Sequence, residues 1–369
     1  MLEHSKISET QFRILVILYS IGDTILVVPG SMTADSKQMA WLPAILGVVI
    51  GVVLVWLYSA IGSLFPHKTL VELNEKILGK WLGKMISLLF VASTFLFCSQ
   101  LLFYVGSFLT TQIMSDTPLL IIHIAFMIVV TIGIRLGLET LARCGEILFP
   151  WFMICFIILV FSISPQIKVE SIQPLFGVGI KPILRSTLIF LSIAPLTFIV
   201  LLMIFPAHVT NGKKSRSAFF IGSAIGGLIM IIIILLSILV LGPVYAQITM
   251  YPSYELARRI RIGDFIQGIE VIIAIMWFLS LYFKLSIYYY ATVSGLAQIL
   301  ELKQYRLLTL PLSIIIIVLS NIVYPSITYE KIWDTETWIP YSLIFGLFYP
   351  LLLLIIGTFR KKNQSVLQK

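Results

Sequence analysis

The chain has 369 residues, of which 59% are hydrophobic and only 12% are charged, and its formal net charge is +9. Soluble domains carry charge on roughly a quarter of their residues, so this composition excludes a soluble globular protein. The basic excess is typical of membrane proteins, and we expect anionic membrane lipid rather than nucleic acid to face it. Three dispersed cysteines and four dispersed histidines indicate neither a disulfide framework nor a metal site.

Ten apolar runs are long enough to cross a bilayer, since a helical span needs about 20 residues. Eight of them lack charged residues, whereas Asp23 interrupts the first run and Lys284 interrupts the eighth. The runs cover residues 14–34, 38–66, 85–115, 117–134, 147–167, 186–212, 217–254, 271–300, 307–329 and 337–359. Gly242 followed by Pro243 should end the seventh span within its run. The sequence therefore predicts one all-α transmembrane domain, residues 1–369.

The distribution of lysine and arginine between the loops predicts the orientation. With the N-terminus in the cytoplasm, 17 of these residues fall inside and 8 fall outside. This excess predicts that both termini are cytoplasmic. A basic cluster of Arg258, Arg259 and Arg261 falls on the outside, against the trend.

Two loops should contain short helices of their own. Thr69 and Glu72 have the spacing of a capping box, and Gly79 can end the helix that follows. On the outer side, Tyr251 precedes Pro252, a residue that suits the first turn of a helix. The basic cluster would lie on this outer helix.

The ten spans divide into two halves of five, at about residues 8–165 and 174–360. An odd number of spans inverts the second half, and transporters of this kind bind substrate where the first helix of each half is broken. Residues 20–24 and 192–197 each place Ser-Ile before a helix-weakening residue, Gly22 or Pro195, and a Thr after it. Unwinding there would free backbone groups for a ligand, and a packing kink is the alternative.

The most distinctive stretch is YPSYELARRIRIGDF at residues 251–265, supported by LGKWLG at 78–83 and RLGLE at 135–139. With these pieces the chain resembles the B subunits of the nutrient germinant receptors of bacterial spores, the spore germination permease family. The resemblance covers nearly the whole chain. One departure concerns residues 192–197, which contain no acid where the family pattern carries a glutamate.

The resemblance implies the fold of the amino acid–polyamine–organocation superfamily. That fold is an inverted five-plus-five repeat of the LeuT type with ten transmembrane helices, the first and sixth of them broken. The resemblance also implies a germinant-binding subunit in the inner membrane of the spore. Its implied partners are an A-type membrane subunit and a C-type lipoprotein subunit.

In this fold the third span lines the substrate site. Phe97, Gln100 and Tyr104 share one face of that span, and an aromatic packing stripe is the alternative interpretation. Gln100 is the member that packing explains least. The predicted ligand-binding residues are Ser20, Gly22, Asp23, Thr24, Phe97, Gln100, Tyr104, Ser192, Ala194, Pro195 and Thr197.

Lys284 is an ionisable residue inside a span, and such residues are costly and often functional. The fold implied by the resemblance often holds a sodium ion between the first and eighth spans. We expect the Lys284 ammonium to replace that ion, with Asp23 or carbonyls of the broken helices as its partner. Alternatively, Lys284 extends inward to the lipid headgroups.

Further charged and polar residues are candidates for gating or coupling. On the outer side, Glu270 could pair with the basic cluster. Arg135, Glu139 and Arg143 are four residues apart and would form a ladder of ion pairs if they share a helix. The gating or coupling candidates are Tyr251, Glu255, Arg258, Arg259, Glu270 and Glu139.

Three functions remain open at this point. The first is a receptor subunit that binds a small nutrient, such as an amino acid, a sugar or a nucleoside. The second is a cation- or proton-coupled amino acid transporter, which would use the same pocket. The third is a scaffold that binds nothing, which the paired breaks and buried charges disfavour. The sequence contains no enzyme motif and predicts no cofactor and no metal.

Overall fold

A computed structural model describes residues 6–210, 212–259 and 270–367, and the regular elements in these ranges are helices. The first half contains α1 (Glu9–Ile21), α2 (Thr24–Ser36), α3 (Trp41–Leu64), α4 (Leu70–Leu78), α5 (Lys80–Gln112), α6 (Leu119–Leu136) and α7 (Leu138–Ile163). The second half contains α8 (Ile180–Ile193), α9 (Gly212–Leu241), α10 (Pro243–Ile248), α11 (Pro252–Arg258), α12 (Glu270–Ile299), α13 (Arg306–Ser320), α14 (Ile327–Ile332), α15 (Trp338–Leu343) and α16 (Tyr349–Leu367).

Shorter segments join these helices. The 3₁₀ segments are Lys37–Met39, Ser164–Gln166, Val169–Ile172 and Pro195–Met203, and the π-helical segments are Trp333–Thr337 and Ile344–Phe348. Arg261 and the end of the 251–265 motif lie outside the described residues.

Eight helices in the described ranges are long and apolar enough to cross a membrane. A ninth is added if α1 and α2, which meet at 42°, form one span. The apolar helix α13 has 15 residues. At 1.5 Å per residue it is about 22 Å long, less than the roughly 30 Å of a hydrocarbon core. The count of ten spans therefore stays a prediction.

The predicted boundary between the last two spans is wrong. The apolar runs placed residues 330–336 in a loop, but the last candidate span runs from Ile327 to Lys362. Glu330 and Asp334 consequently lie in the first turns of this span. Counting charge-free runs misplaces the boundary because Glu330 is buried in the protein and Asp334 lines cavities.

The predicted loop helices are confirmed where the structure describes them. Thr69 and Glu72 form the reciprocal capping box of α4, and Gly79 ends that helix with a φ of 93°. Helix α11 begins at Pro252. The seventh span ends before Gly242, whose φ of 76° is one that glycine adopts readily.

The centre of the bundle is formed by α1, α8 and α12. In the span Ile180–Met203, 94% of the most apolar stretch is buried inside the protein, a larger share than in any other candidate span of the described ranges. Helix α1 packs against α7, α9 and α12, and α12 also packs against α5. Two interruptions lie in this centre: Gly22 separates α1 from α2 with a φ of 23°, and Ala194 separates α8 from a 3₁₀ segment.

Candidate functional site

A small cavity of about 30 Å³, here called the central cavity, lies beside both interruptions. The lining residues come from the junction of α1 and α2, from α5, α8 and α12, and from the last span with the turn before it. Its residues are Asp23, Val27, Phe97, Gln100, Leu101, Tyr104, Ile193, Lys284, Tyr288, Tyr324, Asp334 and Trp338.

The structure brings several of the predicted residues together here. Asp23 and Lys284 line the central cavity, and so does the predicted face of Phe97, Gln100 and Tyr104 on α5. The amide nitrogen of Gln100 is buried and has no hydrogen-bond partner among the described residues. An unpaired buried donor costs free energy unless a bound group satisfies it.

An aromatic wall surrounds the apolar part of this face. The Phe97 ring centroid lies 5.4 Å from that of Tyr288 and 4.6 Å from that of Trp338, both edge to face. Aromatic pairs favour this geometry because ring edges are positive and ring faces negative. The cavity thus has an apolar wall opposite its charged groups.

Lys284 connects the two interruptions. Its ammonium group contacts the Asp23 carboxylate and donates to the Ile193 carbonyl at 2.9 Å. The residue is 1% exposed. Both kinds of partner named in the prediction are therefore present, a carboxylate beside the first interruption and a carbonyl at the second.

The carbonyls at the second interruption, which the α-helix no longer satisfies, accept hydrogen bonds from side chains. The pairs are Trp338 Nε1 to the Ser192 carbonyl at 3.0 Å, Lys284 Nζ to Ile193 at 2.9 Å, the Tyr58 hydroxyl to Leu196 at 3.2 Å and the Tyr19 hydroxyl to Thr197 at 3.0 Å. Buried backbone groups need such partners. These four contacts hold the 3₁₀ segment in place.

Other predicted residues lie beside the central cavity and outside its lining. Ser20, Ala194 and Pro195 line a separate small space of about 10 Å³, and Thr197 lines another of the same size. The predicted residues outside the lining are Ser20, Gly22, Thr24, Ser192, Ala194, Pro195 and Thr197.

Sequence reasoning missed Tyr288, Tyr324, Asp334 and Trp338. Asp334 accepts a hydrogen bond from the Tyr104 hydroxyl at 2.7 Å and a longer one from Tyr324 at 3.5 Å. Burial raises the pKa of Tyr324, so its hydroxyl stays protonated and can donate. The available signal was an acid inside a span, which became invisible once residues 330–336 were assigned to a loop.

A second cavity of about 260 Å³, the outer cavity, shares Val27 and Asp334 with the central one. Its other lining residues are Gly30, Ser31, Ala34, Asp35, Ile189, Gln247, Thr249, Met250, Tyr251, Glu330, Lys331, Ile332 and Thr335. Burial raises the pKa of Tyr251 to about 12, so this hydroxyl also stays protonated. Val27 and Asp334 thus lie between the two cavities.

Helix α11 packs beside the outer cavity. The Ser253 hydroxyl donates to the Ile25 carbonyl of α2 at 2.7 Å, and the Tyr254 ring lies 5.1 Å from that of Phe108 on α5. Arg258 pairs with Glu255 at 2.7 Å on the exposed side of α11. The outer helix is thus attached to two of the helices that line the central cavity.

The remaining coupling candidates lie away from both cavities. The Arg259 guanidinium lies 5.0 Å from the centre of the Tyr245 ring, a cation–π contact. Glu270 is the first described residue of α12 and is half-buried. No acid of the described residues other than Glu255 lies within 4.0 Å of Arg258 or Arg259. The Glu270 pairing therefore stays a prediction.

The predicted ladder on the fifth span is only half right. Arg143 pairs with Glu139 at 2.5 Å, one turn away on α7. Arg135 belongs to α6 instead, because Gly137, with a φ of 100°, separates the two helices. Its guanidinium donates to the Thr309 hydroxyl at 3.4 Å. Glu139 thus forms an exposed surface pair.

Known proteins resemble this chain in sequence and in fold. The family described as Spore germination protein matches residues 6–326. Spore germination protein KB of Bacillus subtilis (strain 168) is 29% identical over 369 residues, covering 99% of this chain and 98% of that protein. MhsT in complex with L-phenylalanine has a TM-score of 0.71 at 15% identity, with 97% of both chains covered.

Mhp1, a nucleobase-cation-symport-1 family transporter with bromovinylhydantoin bound, has a TM-score of 0.65 at 12% identity. The alignment covers 94% of this chain and 79% of Mhp1. At these identities the solved structures establish the fold alone, which is transporter-like. The match over residues 6–326 establishes the family: the chain belongs to the Spore germination protein family.

Proposed function

We propose that this chain is the nutrient-binding membrane subunit of a spore germinant receptor and that binding in the central cavity triggers germination. The observation that supports this most is the lining of the central cavity in a member of this family. It contains the Gln100 amide, whose nitrogen has no partner among the described residues, and the Asp334 carboxyl group of the last span. The related folds of MhsT and Mhp1 hold L-phenylalanine and bromovinylhydantoin, respectively. A small nutrient such as an amino acid, a sugar or a nucleoside is the proposed ligand.

The ligand-recognition groups we propose are mainly side chains. The carbonyls of residues 192–197 already accept hydrogen bonds from Lys284, Trp338, Tyr58 and Tyr19. A ligand would therefore contact the α5 face and the last span rather than the free backbone. Lys284, which ties both interruptions together, would occupy the position of a coupling cation.

We propose a ten-span arrangement in the inner membrane of the spore, with both termini cytoplasmic. Helices α1 and α2 would form one interrupted span and α13 a short one, which adds two to the eight long helices. The excess of basic residues in the inner loops supports this orientation. The proposed partners are an A-type membrane subunit and a C-type lipoprotein subunit.

Helix α11 is the proposed link between ligand and partner subunits. It lies beside the outer cavity, contacts α2 and α5, and carries the outward-facing Arg258 and Arg259. A ligand would shift α11 only to the extent that it binds one position better than the other. A coupling free energy of about 1–3 kcal/mol would suffice for a graded response.

Germination of spores that carry the chain with its A-type and C-type subunits tests the proposal. We expect Gln100→Leu to raise the nutrient concentration for half-maximal germination at least tenfold, at unchanged abundance in the membrane. Gln112→Leu makes the same change at the far end of α5, outside the cavity lining, and should behave as wild type. A normal response of Gln100→Leu would exclude the central cavity as the nutrient site.

A further inference from the structure

We infer that the ligand of the central cavity carries a protonated amine, which binds the Asp334 carboxylate, and an acceptor oxygen, which faces the Gln100 amide. This inference rests on the proposed function, since it assumes that the cavity binds a nutrient. It narrows the class to compounds with a cationic amine and a nearby carboxylate or carbonyl, and it disfavours neutral sugars and nucleosides.

The charges that line the central cavity do not balance. Asp23 and Lys284 pair with each other. Asp334 remains, and no lysine or arginine nitrogen in the described ranges lies within 4.0 Å of its carboxylate. Tyr104 and Tyr324 donate to it but carry no charge. A carboxylate inside a membrane span is costly, and a cationic ligand group would offset that cost.

The position of Asp334 suits contact with a ligand. It lies in the π-helical segment Trp333–Thr337, and π-helical turns inside α-helices occur often at functional sites. It is only partly buried and lines both cavities. The carboxylate is therefore within reach of a molecule in either cavity.

Gln100 provides an independent sign of a ligand. The residue is 4% exposed, lines the central cavity and has no hydrogen-bond partner for Nε2 among the described residues. An amide nitrogen is a donor only, so its missing partner is an acceptor oxygen. A carboxylate or carbonyl of the ligand would supply it, while Phe97 and Trp338 would contact an apolar side chain.

The outer cavity also favours a cationic ligand group. Glu330 is 6% exposed, and its Oε2 has no hydrogen-bond partner within the described part of the chain. Asp35 also lines this cavity, with Arg185 at 3.5 Å, and Lys331 lies on the same lining. Acids that line an approach raise the local concentration of cations. The free Glu330 oxygen would thus accept a hydrogen bond from an amine that passes through the outer cavity.

An organic cation fits these residues better than a metal ion. The described residues contain no group of three His, Cys, Asp or Glu side chains that could hold a metal. The hydrogen-bond partners of Asp334 are the hydroxyls of Tyr104 and Tyr324, which both donate to it. Few oxygens are therefore left to coordinate a metal ion. Ca²⁺ in proteins takes six to eight oxygen ligands.

Binding to the purified full-length chain in nanodiscs tests the inference. The probes are the twenty L-amino acids, the amine-free acids propionate and isovalerate, and the neutral nutrients D-glucose and inosine. We expect at least one amino acid to bind, and its amine-free analogue to bind at least tenfold more weakly. Asp334→Asn should remove that difference, because asparagine still accepts from Tyr104 but carries no charge. Glu336→Gln, an exposed neighbour outside both cavities, should retain it.

The outcomes separate this inference from the proposed function. If none of the probes binds, the proposed function fails. If inosine, glucose or an amine-free acid binds as tightly as the amino acids, the nutrient site stands and the amine is excluded. Unchanged discrimination in Asp334→Asn, at a wild-type melting temperature, would overturn the role of Asp334. Stabilisation by sodium chloride alone, lost in Asp334→Asn, would assign the carboxylate to an inorganic cation and also overturn it.

Discussion

The Lys284 side chain lies where α12 meets the ends of α1 and α8. Its ammonium group contacts the Asp23 carboxylate and the Ile193 carbonyl, so one residue satisfies groups at both interruptions. A buried ion pair is expensive to desolvate, and removing one member destabilises the protein further because the other charge stays buried without a partner. The pair therefore fixes the relative position of the two interrupted helices.

We expect Lys284→Met to lower the free energy of unfolding by about 3–5 kcal/mol, because it leaves the Asp23 charge buried and uncompensated. Lys284→Arg should recover only part of this loss, since a planar guanidinium does not replace a compact ammonium group. Denaturant unfolding of the purified protein in detergent measures both effects.

The exposed pair of Lys84 and Glu301, 2.7 Å apart, provides the control. Lys84→Met should change stability far less, because ion pairs in contact with water contribute little. Combining Lys284→Met with Asp23→Asn should be more stable than Lys284→Met alone. If the double variant is no more stable than the single one, Asp23 is not the partner that Lys284 compensates.

The site was predictable only where a residue type is unusual for its surroundings. Asp23 and Lys284 were found because charges in apolar runs are rare, and Gln100 because an amide is hard to explain by packing. Asp334 was missed because the last apolar run begins only at residue 337, and Trp338, although it lies in that run, is an aromatic residue like many others there. Aromatic residues such as Tyr288 gave no signal, since such residues fill most membrane cores.

The two helix interruptions differ in how they are built. At the first, Gly22 adopts a φ of 23°, and a Cβ there would overlap the Lys284 side chain. At the second, Pro195 starts a 3₁₀ segment whose carbonyls are held by side chains. The first interruption thus depends on the absence of a side chain, and the second on contacts from neighbouring helices.

Gly22→Ala should therefore destabilise the protein by roughly 1–3 kcal/mol, the usual cost of overpacking, and should weaken the nutrient response. The methyl group would displace Lys284 from Asp23. Thermal unfolding in detergent and germination of spores carrying the variant are the measurements.

Gly145→Ala is the matched control, because a Cβ at Gly145 would make only ordinary contacts, the nearest at 3.4 Å. Alanine also favours the helix interior over glycine, so this variant should be as stable as wild type or more so. If Gly22→Ala is equally stable and responds normally, the strained turn at Gly22 has no role in the site.

Local signals predicted the helices better than the apolar runs predicted the spans. The capping box at Thr69, the start of α11 at Pro252 and the end of α9 before Gly242 depend on a few neighbouring residues. The start of the last span depends on tertiary burial of Glu330, which no local pattern contains. Likewise, Gly137 ended α6 early and separated Arg135 from the ladder.

The two ends of the whole molecule differ. At one end the chain before α1 is bound to the segment after the sixth span: the Ile7 amide donates to the His208 carbonyl at 2.8 Å, and the Thr210 amide to the Ile7 carbonyl at 3.0 Å. At the other end the outer cavity leads to Asp334. In the described conformation the N-terminal segment is thus bound to the bundle at one end, and the outer cavity lies beside Asp334.

The proposed topology places the end with the N-terminal segment in the cytoplasm. A reporter fused after Lys369 should then report the inside, and one inserted in the turn at 321–326 should report the outside, because one span separates them. Alkaline phosphatase and green fluorescent protein fusions, active on opposite sides, measure this. If both positions report the same side, the ten-span count is wrong and α13 or the last helix does not cross.

The receptor and the transporter differ in what the whole molecule does after binding. A receptor needs only a change in the populations of two conformations. A transporter must in addition open its binding site to each side of the membrane in turn. Because Lys284 fills the position between the interruptions with a fixed charge, we expect no exchangeable cation to drive a transport cycle there.

The chain alone in liposomes, with an imposed proton or sodium gradient, should bind but not concentrate amino acids. Radiolabelled uptake measures this, with a known gradient-driven amino acid transporter in matched liposomes as the control. Uptake against a gradient by the isolated chain would contradict the receptor proposal and favour the transporter. Charge reversal at Arg259 separates them further: it should change the sensitivity of germination to nutrient while ligand affinity of the isolated chain stays the same.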